Sequence, residues 1–473
     1  MLWYSKSGLI NVVAIIIRHH MVCAARYPKL TLRYISFHMK GSFSMSPVSR
    51  NLTVARGCQR LAAAATAIIL VPMALMGCKD KKTGGTPGAP SSTGEKAPST
   101  QASGDTIVIG EYGSMTGDNS SFGIQNDAGV KIAVDEVNAA GGVTVAGKKY
   151  KIDIKLEDDQ SKSENAETAV KRLIDQQNVT AIIGEVASSC SIAGGNICQR
   201  SGVPMISPSS TNIKVTQIGD FIFRVCFLDS YQAAVDARFA IDPNGLNAKK
   251  AAIFTNKDQS YSTGFRDEFE KAFTKYGGTI VAKQTYSDKD NDYRGQLTAL
   301  KAASPDVILV PGYYKDASTI AKQARELGIN VPLLGGDGWS DSKLLELGGK
   351  AVDGCYFSDH MSIKDPKPVV QEFVKAYKAK YASDTKMEKE PSTMAALGYD
   401  DAKILFAALT RSKSLDKKDI RDAIAATSGY QGVTGSITIN KDRNADKSAV
   451  IIAVKNGSFD YRATVPNPDQ PLK

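Results

Sequence analysis

Two consecutive series of short apolar strands and helical segments, from residue 106 onward, constrain the fold of this chain more than any other feature. In the first series an apolar strand ends at Gly184 and the next helical segment ends at Gly202. In the second series the equivalent glycines are Gly312 and Gly328, at a similar spacing. Alternating strands and helices predict parallel sheets covered by helices on both faces. The predicted fold class is therefore α/β, with two doubly wound parallel-sheet lobes whose carboxyl strand ends face each other across a cleft.

The start of the first series shows the pattern in detail. Residues 107–109 are apolar and predict a strand that runs into a loop rich in glycine. Apolar residues then recur at helical spacing over residues 128–139, and Gly141 and Gly142 follow as a helix stop signal. The sequence therefore predicts a helix over residues 128–139.

The segment before residue 79 has the pattern of an export signal. Basic residues precede an apolar run at 61–76, which is shorter than the roughly 20 residues of a membrane-spanning helix. Gly77 and Cys78 follow, and this end resembles a bacterial lipobox, in which the cysteine is lipidated and becomes the mature N-terminus. Met76 departs from the small residue preferred there. We predict a leader over residues 1–77 and lipidation of Cys78, with a plain secretory signal or an uncleaved anchor as the alternatives.

The regions on either side of this signal differ in composition from the body. Residues 1–38 add a second apolar stretch, and Met39 or Met45 is a more natural start, so they are either a misplaced start or additional signal sequence. Residues 78–104 are dominated by Lys, Gly, Pro, Ser and Thr and lack large apolar side chains. Such a segment buries no core and predicts a flexible tether.

The distribution of charge argues against a nucleic-acid partner. The chain has a net charge of +10, but residues 1–77 hold nine of its 59 Lys and Arg and no Asp or Glu. The remainder has 50 basic and 49 acidic residues. A nucleic-acid binder needs a basic face that displaces counterions from phosphates, and the body has no overall excess from which to build one.

Histidine and cysteine usage argues against imidazole catalysis and motif-type metal sites. After the leader only His360 remains, and it is interpreted as a solvated or core histidine. Cys190 and Cys198 on one helix would lie roughly 12 Å apart, whereas a disulfide spans about 4.4–6.8 Å between Cα atoms. Cys190 is interpreted as a small buried residue. The pairing of Cys190, Cys198, Cys226 and Cys355 stays open at this point.

The loops after the predicted strands carry many hydroxyl and aromatic side chains, as in EYGSMTGDNSSFG and TNKDQSYSTG. They contain no phosphate-binding loop, nucleophile elbow, zinc-protease motif or dinucleotide fingerprint. Hydroxyls and backbone N–H groups at helix N-termini suit a carboxylate. An acid suits an ammonium, and aromatic walls suit an apolar side chain. These loops favour the binding of a zwitterion over a secreted enzyme activity.

From about Thr106 to the end, the order of elements, the loop positions and the late segment GVTGSITINKDRNA resemble the branched-chain-amino-acid-type substrate-binding proteins of ABC transporters. The resemblance implies a type I periplasmic binding fold with a three-strand hinge. In that family, hydroxyls after the third and fourth strands bind the α-carboxylate, an acid in a G-x-[DE]-G loop binds the α-ammonium, and aromatic residues line the cleft. The ligand-binding residues implied here are Phe122, Ser188, Ser209, Thr211, Tyr261, Tyr313 and Asp337.

Each of these residues also has a purely structural interpretation. Ser209 and Thr211 fit an ordinary turn or helix cap, and tyrosines are common packing residues. Asp337 lies between two glycines, as a turn aspartate does, and it is one carbon shorter than the glutamate common in the family, which leaves the ligand size open. Trp339 is either part of the cleft wall or a packing residue of one lobe.

The resemblance also implies the organisation and the function of the chain. Lobe 1 is expected to comprise residues 105–226 and 357–437, and lobe 2 residues 227–356 and 438–473. The expected protein is a monomeric, lipid-anchored, periplasmic or extracytoplasmic binding protein without cofactor or metal, which delivers an amino acid, branched-chain or otherwise aliphatic, to ABC permease subunits. The alternative in the same fold is an amino-acid or amide sensor for a signalling partner.

Overall fold

The computed structural model describes residues 33–40, 44–51, 105–465 and 467–472. The chain divides into two units, Met1–Pro98 and Ser99–Lys473. In the first unit, β1 (Arg33–Lys40) and β2 (Ser44–Asn51) pair as an antiparallel hairpin. Of the predicted leader at residues 1–77, only residues 33–40 and 44–51 are described, and the predicted lipidation site Cys78 and the predicted tether at 78–104 lie outside the described residues. No helix in the described part of the chain is long and apolar enough to cross a membrane.

The second unit alternates strands and helices. Its strands are β3 (Thr106–Gly113), β4 (Val143–Val145), β5 (Lys148–Asp158), β6 (Ala181–Ile183), β7 (Met205–Ser207), β8 (Ile222–Arg224), β9 (Lys250–Asn256), β10 (Thr279–Tyr286), β11 (Val307–Leu309), β12 (Leu333–Gly335), β13 (Tyr356–Asp359), β14 (Tyr430–Gly432), β15 (Gly435–Ile439), β16 (Ala445–Asp446), β17 (Ala449–Lys455) and β18 (Ser458–Val465). Its helices are α1 (Ser120–Ala139), α2 (Ser163–Asp175), α3 (Ser188–Ser201), α4 (Lys214–Gln217), α5 (Asp229–Ile241), α6 (Ser260–Lys275), α7 (Arg294–Ala302), α8 (Tyr314–Glu326), α9 (Ser342–Gly348), α10 (Pro368–Tyr381), α11 (Thr393–Arg411) and α12 (Lys417–Ala425). Short 3-10 turns cover Asp337–Trp339 and Gly349–Val352.

Two large sheets of the second unit share one strand order. The first runs β4-β5-β3-β6-β7-β8, and the second runs β10-β9-β11-β12-β13-β17-β18. In both, five consecutive parallel strands follow the order 2-1-3-4-5, which places a topological switch point between the first and third strands. Antiparallel strands are added at the edges: β4 in the first sheet, and β17 and β18 in the second. The predicted fold of two doubly wound lobes is confirmed.

Helix α1 begins at Ser120, eight residues before the start predicted from the apolar pattern. Its early turns bury the polar side chains of Gln125, Asn126 and Asp127. Polar residues in buried positions hide the helical period, because the period is read from apolar residues alone. The absence of an apolar helical pattern over residues 120–127 therefore reflects buried polar side chains in a helix and does not indicate a loop.

The cysteines of the second unit are single thiols. Cys190 and Cys198 both lie on α3, so the helix separates them as expected. Together with Cys226 and Cys355 they are free and buried. The pairing left open by the sequence is thereby resolved as none among these four.

Helices α1 and α11 pack closely because Gly129 has no side chain. A Cβ built on Gly129 would lie 1.8 Å from the carbonyl oxygen of Ala395, a backbone atom of α11. We expect Gly129→Ala to force the two helices apart and to lower the free energy of unfolding by about 1–3 kcal/mol or more.

The matched control is Gly295→Ala on α7, where an added Cβ meets nothing within 4 Å. That change should be neutral or stabilise by up to about 1 kcal/mol, because alanine restricts the unfolded chain. Urea denaturation followed by circular dichroism measures both variants. Equal stabilities for the two would contradict the close packing at Gly129.

Candidate ligand-binding site

The seven predicted ligand-binding residues follow the carboxyl ends of strands in the two large sheets. On the first sheet, Phe122 lies in α1 after β3, Ser188 begins α3 after β6, and Ser209 and Thr211 follow β7. On the second sheet, Tyr261 lies at the start of α6 after β9, Tyr313 precedes α8 after β11, and Asp337 follows β12. All seven side chains are buried. The structure thus brings the predicted residues to the strand ends beside the two switch points.

The hydroxyl residues of the first sheet form one group. The Ser188 Oγ accepts a hydrogen bond from the Asn212 N–H at 3.3 Å, and the Ser209 Oγ donates to the Val186 carbonyl at 3.0 Å. Ser188 is the first residue of α3, where backbone N–H groups lack partners within the helix. Hydroxyls next to a helix N-terminus form a suitable environment for a carboxylate.

The aromatic residues connect the two sheets. The Phe122 ring lies edge-on to the rings of Tyr313 and Tyr314, with centroid separations of 6.0 and 5.0 Å. Tyr313 stacks on Tyr261 at 5.3 Å. One continuous aromatic row therefore runs from the first sheet's α1 to the strand ends of the second sheet.

Asp337 is held from two directions. Its Oδ1 accepts a hydrogen bond from the Gln232 Nε2 at 2.9 Å, while its own N–H donates to the Gln232 Oε1 at 3.0 Å. Its Oδ2 lies 3.1 Å from the Nε2 of His360. The next residue, Gly338, donates its N–H to the Tyr261 hydroxyl at 3.3 Å. The carboxylate is thus fixed beside the stacked tyrosines.

The electrostatics around Asp337 leave a negative charge poorly compensated. Burial raises the pKa of Asp337 well above its usual value, and the nearby carboxyl groups of Asp229 and Asp359 raise it further. Burial also lowers the pKa of His360 well below its usual value, so this histidine is neutral at pH 7. Within residues 105–465 and 467–472, no Lys or Arg forms an ion pair with Asp337. A cation placed here would favour the ionised carboxylate.

Three residues of the site were missed by the sequence analysis. His360 is buried, stacks on Phe227 at 3.7 Å and contacts Asp337, so the solvated alternative is wrong. Gln232 and Asn212 are ordinary amides in sequence, and only their neighbours in space reveal a role. The Asn212 Nδ2 donates to the Ser260 carbonyl at 2.6 Å, which ties the hydroxyl loop of the first sheet to α6 of the second.

Asp229 adds a second acid at the same place. It is the first residue of α5, it is buried, and its N–H donates to the Thr211 carbonyl at 2.9 Å. Burial raises its pKa to about 7, although the nearby Thr211 hydroxyl opposes the rise. Neither the Asp229 carboxyl nor the Thr211 hydroxyl completes a side-chain hydrogen bond of regular geometry within the described part of the chain. The Asp229 carboxyl and the Thr211 hydroxyl are therefore both available to hydrogen-bond a ligand.

Trp339 belongs to the interior of the second lobe. It is fully buried, and its Nε1 donates to the Val310 carbonyl at 3.1 Å. The indole covers Gly335 so closely that a Cβ there would lie 2.3 Å from the ring. Of the two interpretations left open by the sequence, the structure supports packing.

Buried carboxyl groups give a prediction for pH. The pKa values of Asp159, Asp316 and Asp359 are each raised from 3.8 to about 6, mainly by burial. A carboxyl group with a higher pKa in the folded chain stabilises the fold below its unfolded pKa, and this contribution is lost as pH rises through about 6. We expect the thermal midpoint of unfolding of the ligand-free protein to rise by on the order of a few degrees when the pH is lowered from about 7.5 to about 5.5. Scanning calorimetry at the two pH values measures the thermal midpoint. Asp316→Asn should reduce the rise, and a midpoint that falls on acidification would contradict the prediction.

Two doubly wound sheets, joined at their strand ends by hydroxyl, aromatic and acidic side chains, define a two-lobe solute-binding protein. The sequence profile of the family described as "Periplasmic binding protein" matches residues 106–458. The chain belongs to this family, and the branched-chain-amino-acid type recognised in the sequence is confirmed. Like its relatives, it is a binding protein and not an enzyme, and the family places it outside the cytoplasm.

Individual relatives agree with this assignment. The chain is 32% identical over 281 residues to an amino acid binding protein of Pseudomonas aeruginosa, which covers 58% of this chain and 73% of that protein. It is similar to the leucine binding protein LivK of Thermotoga maritima, with a TM-score of 0.72, 38% identity, and coverage of 77% of this chain and 100% of that one. It is also similar to LivJ of Streptococcus pneumoniae in complex with isoleucine, with a TM-score of 0.69, 32% identity, and coverage of 76% and 99%.

Proposed function

We propose that this protein captures an amino acid, branched-chain or otherwise aliphatic, between its two lobes and delivers it to an ABC permease. The single observation that carries the proposal is the separation of chemistry across the site. Hydroxyls beside the N-terminus of α3 lie on the first sheet, and the under-compensated Asp337 lies on the second. A zwitterion needs one partner of each kind, and an aromatic row suits its apolar side chain.

The two lobes follow from the membership of strands in sheets. We assign residues 105–226 and 360–437 to lobe 1, and residues 227–359 and 438–473 to lobe 2. All strands of the first sheet lie before residue 225, and the second sheet begins at β9, which supports a crossing near residues 225–228. Strand β13 belongs wholly to the second sheet, so the second crossing is assigned to the end of this strand. The boundary expected at residue 356 therefore moves to residue 359.

Closure of the lobes is the proposed mechanism of capture. The Asn212–Ser260 hydrogen bond and the Phe122–Tyr313 contact each join one lobe to the other. Such contacts exist only while the lobes are together, as do any ligand contacts made with both lobes. A ligand therefore shifts the population toward the closed form, and we propose that the permease recognises the closed surface.

The nature of the ligand is inferred from the aromatic row and from relatives. LivK of Thermotoga maritima is a leucine binding protein, and LivJ of Streptococcus pneumoniae was solved with isoleucine. Phe122, Tyr261 and Tyr313 would form the wall for an aliphatic side chain of that kind. We further propose that the protein acts as a monomer held at a membrane by a lipid on Cys78.

Calorimetric titration of the ligand-free protein with the twenty amino acids, simple amides and simple carboxylic acids tests the proposal. The expected result is tight binding of one or a few aliphatic amino acids, with compaction seen by small-angle scattering over the same ligand concentrations. Binding of carboxylic acids or amides in preference to amino acids would show that the ligand class is wrong. Ligand binding without compaction would show that the lobes do not close around it.

A further inference from the structure

A compact group of metal-ligating side chains lies beside the proposed amino-acid site. Asp159 follows β5, Glu185 follows β6, and Cys190 lies in the first turn of α3. Each offers a ligand atom, and these atoms all lie within 4.8 Å of one another. All three residues are buried. Because Asp159 comes from a different segment of the chain than Glu185 and Cys190, no short sequence motif reveals the group.

The hydrogen bonds of the group leave one buried carboxyl oxygen without a partner of regular geometry. Ser114 donates its N–H and its hydroxyl to the Glu185 Oε1 at 3.0 and 2.9 Å. The Asp159 Oδ1 accepts the Ser161 N–H at 2.9 Å and also lies 3.1 Å from the Ser114 Oγ. The Asp159 Oδ2 completes no hydrogen bond of regular geometry within the described part of the chain. None of the ion pairs found among those residues includes Asp159 or Glu185.

Two adjacent buried carboxyl groups without a cation are costly to keep ionised. Burial raises the pKa of Asp159 to about 6, although a hydrogen bond between the Asp159 and Glu185 side chains opposes the rise. Burial and the nearby charge of Asp159 raise the pKa of Glu185 well above its usual value. Burial and these two acids also raise the pKa of the Cys190 thiol. A bound cation would reverse all three effects at once, because it stabilises every ionised ligand.

The group has a direct relation to the proposed amino-acid site. Glu185 accepts a hydrogen bond from the N–H of Ala187, the residue before Ser188. Glu185 and Cys190 also raise the pKa of Tyr313, which follows a strand of the second sheet.

We propose that Asp159, Glu185 and Cys190 bind one divalent cation that accepts mixed oxygen and sulfur ligands, with Zn²⁺ as the best fit. Zinc binds carboxylate oxygens at about 2.0–2.2 Å and thiolate sulfur at about 2.3 Å, so tetrahedral ligands of one ion lie about 3.3–3.7 Å apart. The ligand atoms of this group lie within 4.8 Å of one another, and small side-chain rotations would bring them onto one ion. A thiolate disfavours Ca²⁺ and Mg²⁺, which take oxygen ligands. An organic ammonium would gain nothing from the sulfur.

A bound cation would hold in place the loop that precedes Ser188. The cation would displace the proton of the Cys190 thiol and the proton held by the acid pair, and both would be released to solvent. It would join the segments after β5 and β6 and the first turn of α3, and it would thereby position Ser188. The site depends on the first sheet alone, so it stands whether or not the amino acid proposed above is the ligand.

The test uses the full chain, purified in detergent and treated with a chelator, and titrated first with Co²⁺ and then with Zn²⁺. We expect one Co²⁺ per chain with a near-ultraviolet thiolate-to-cobalt absorption band that Zn²⁺ abolishes. Cys190→Ser should remove the band. Cys198→Ser is the matched control, because Cys198 lies on the same helix, is buried and free, and lies outside the group.

A second variant tests the carboxylates without altering shape. Asp159→Asn should weaken Zn²⁺ binding at least tenfold, and the rise in thermal midpoint that Zn²⁺ gives to the unmodified chain and to Cys198→Ser should be lost. A cobalt band that survives Cys190→Ser would overturn the proposal. So would an unmodified chain that binds no Co²⁺, or an Asp159→Asn variant with unchanged affinity. Amino-acid titration of the same samples keeps this result separate from the function proposed above.

Discussion

Replacing Asp337 by alanine is expected to weaken binding of the amino-acid ligand by roughly 30- to 4000-fold while the fold is kept. Removing one partner of a desolvated charge pair typically costs about 2–5 kcal/mol, because the other charge stays buried without a partner. Asp337 is buried, and its side chain contacts the uncharged Gln232 and His360. Neither of these two contacts offers the ligand's ammonium a replacement negative charge. Isothermal titration calorimetry measures the loss.

Two matched variants separate charge from shape. Asp337→Asn keeps the volume of the side chain and an acceptor for Gln232 but removes the charge, so its loss should approach that of alanine. Asp337→Glu keeps the charge and changes only its reach, so its loss should be smaller. An analogue of the ligand in which a keto group replaces the amine should bind the unmodified protein and Asp337→Asn with similar affinity.

The opposite outcome is equally specific. If Asp337→Ala binds the same amino acid within about threefold, the difference is below about 0.7 kcal/mol, and the ammonium role of Asp337 is wrong. The α-ammonium would then be held by another group, such as the buried Asp229, or would not be recognised, as for a natural ligand that is a carboxylic acid or an amide. Ser188, Ser209 and Thr211 would remain the proposed carboxylate site.

Replacing Cys78 by serine is expected to move the protein from the membrane fraction to the soluble fraction or to leave it unprocessed. Each acyl CH₂ buried in a bilayer contributes about 0.8 kcal/mol, so loss of the lipid removes nearly all of the membrane affinity. No described helix is able to replace that anchor by crossing the membrane. Fractionation with an immunoblot, and mass spectrometry of the mature N-terminus, measure the change.

Cys58→Ser is the matched control for this prediction, since Cys58 lies inside the predicted leader and would be removed with it. That variant should be processed and anchored like the unmodified chain. Full processing and unchanged membrane association of Cys78→Ser would contradict the lipoprotein prediction. The anchor would then lie in an uncleaved leader.

The alternation of strands and helices was sufficient to predict both lobes, because backbone periodicity is a local property. Gly184 and Gly312 end equivalent strands of the two series, and the two sheets indeed share the order 2-1-3-4-5. The same reasoning placed Ser188, Tyr261 and Asp337 at strand ends, since a parallel sheet collects its carboxyl ends at one edge. Local pattern failed at the start of α1, where buried polar residues hide the helical period.

By itself, the sequence determined the two-lobe α/β architecture, the family and the positions of the candidate site residues along the chain. Only the tertiary structure showed that His360 and Gln232 hold Asp337, that Trp339 packs inside one lobe, and that Asp159, Glu185 and Cys190 converge. The physical reason is the sequence separation over which each kind of interaction acts. Strand and helix formation depends on neighbours a few residues apart, whereas a hydrogen bond, a desolvated charge or a shared coordination sphere depends on atoms that only folding of distant segments brings together.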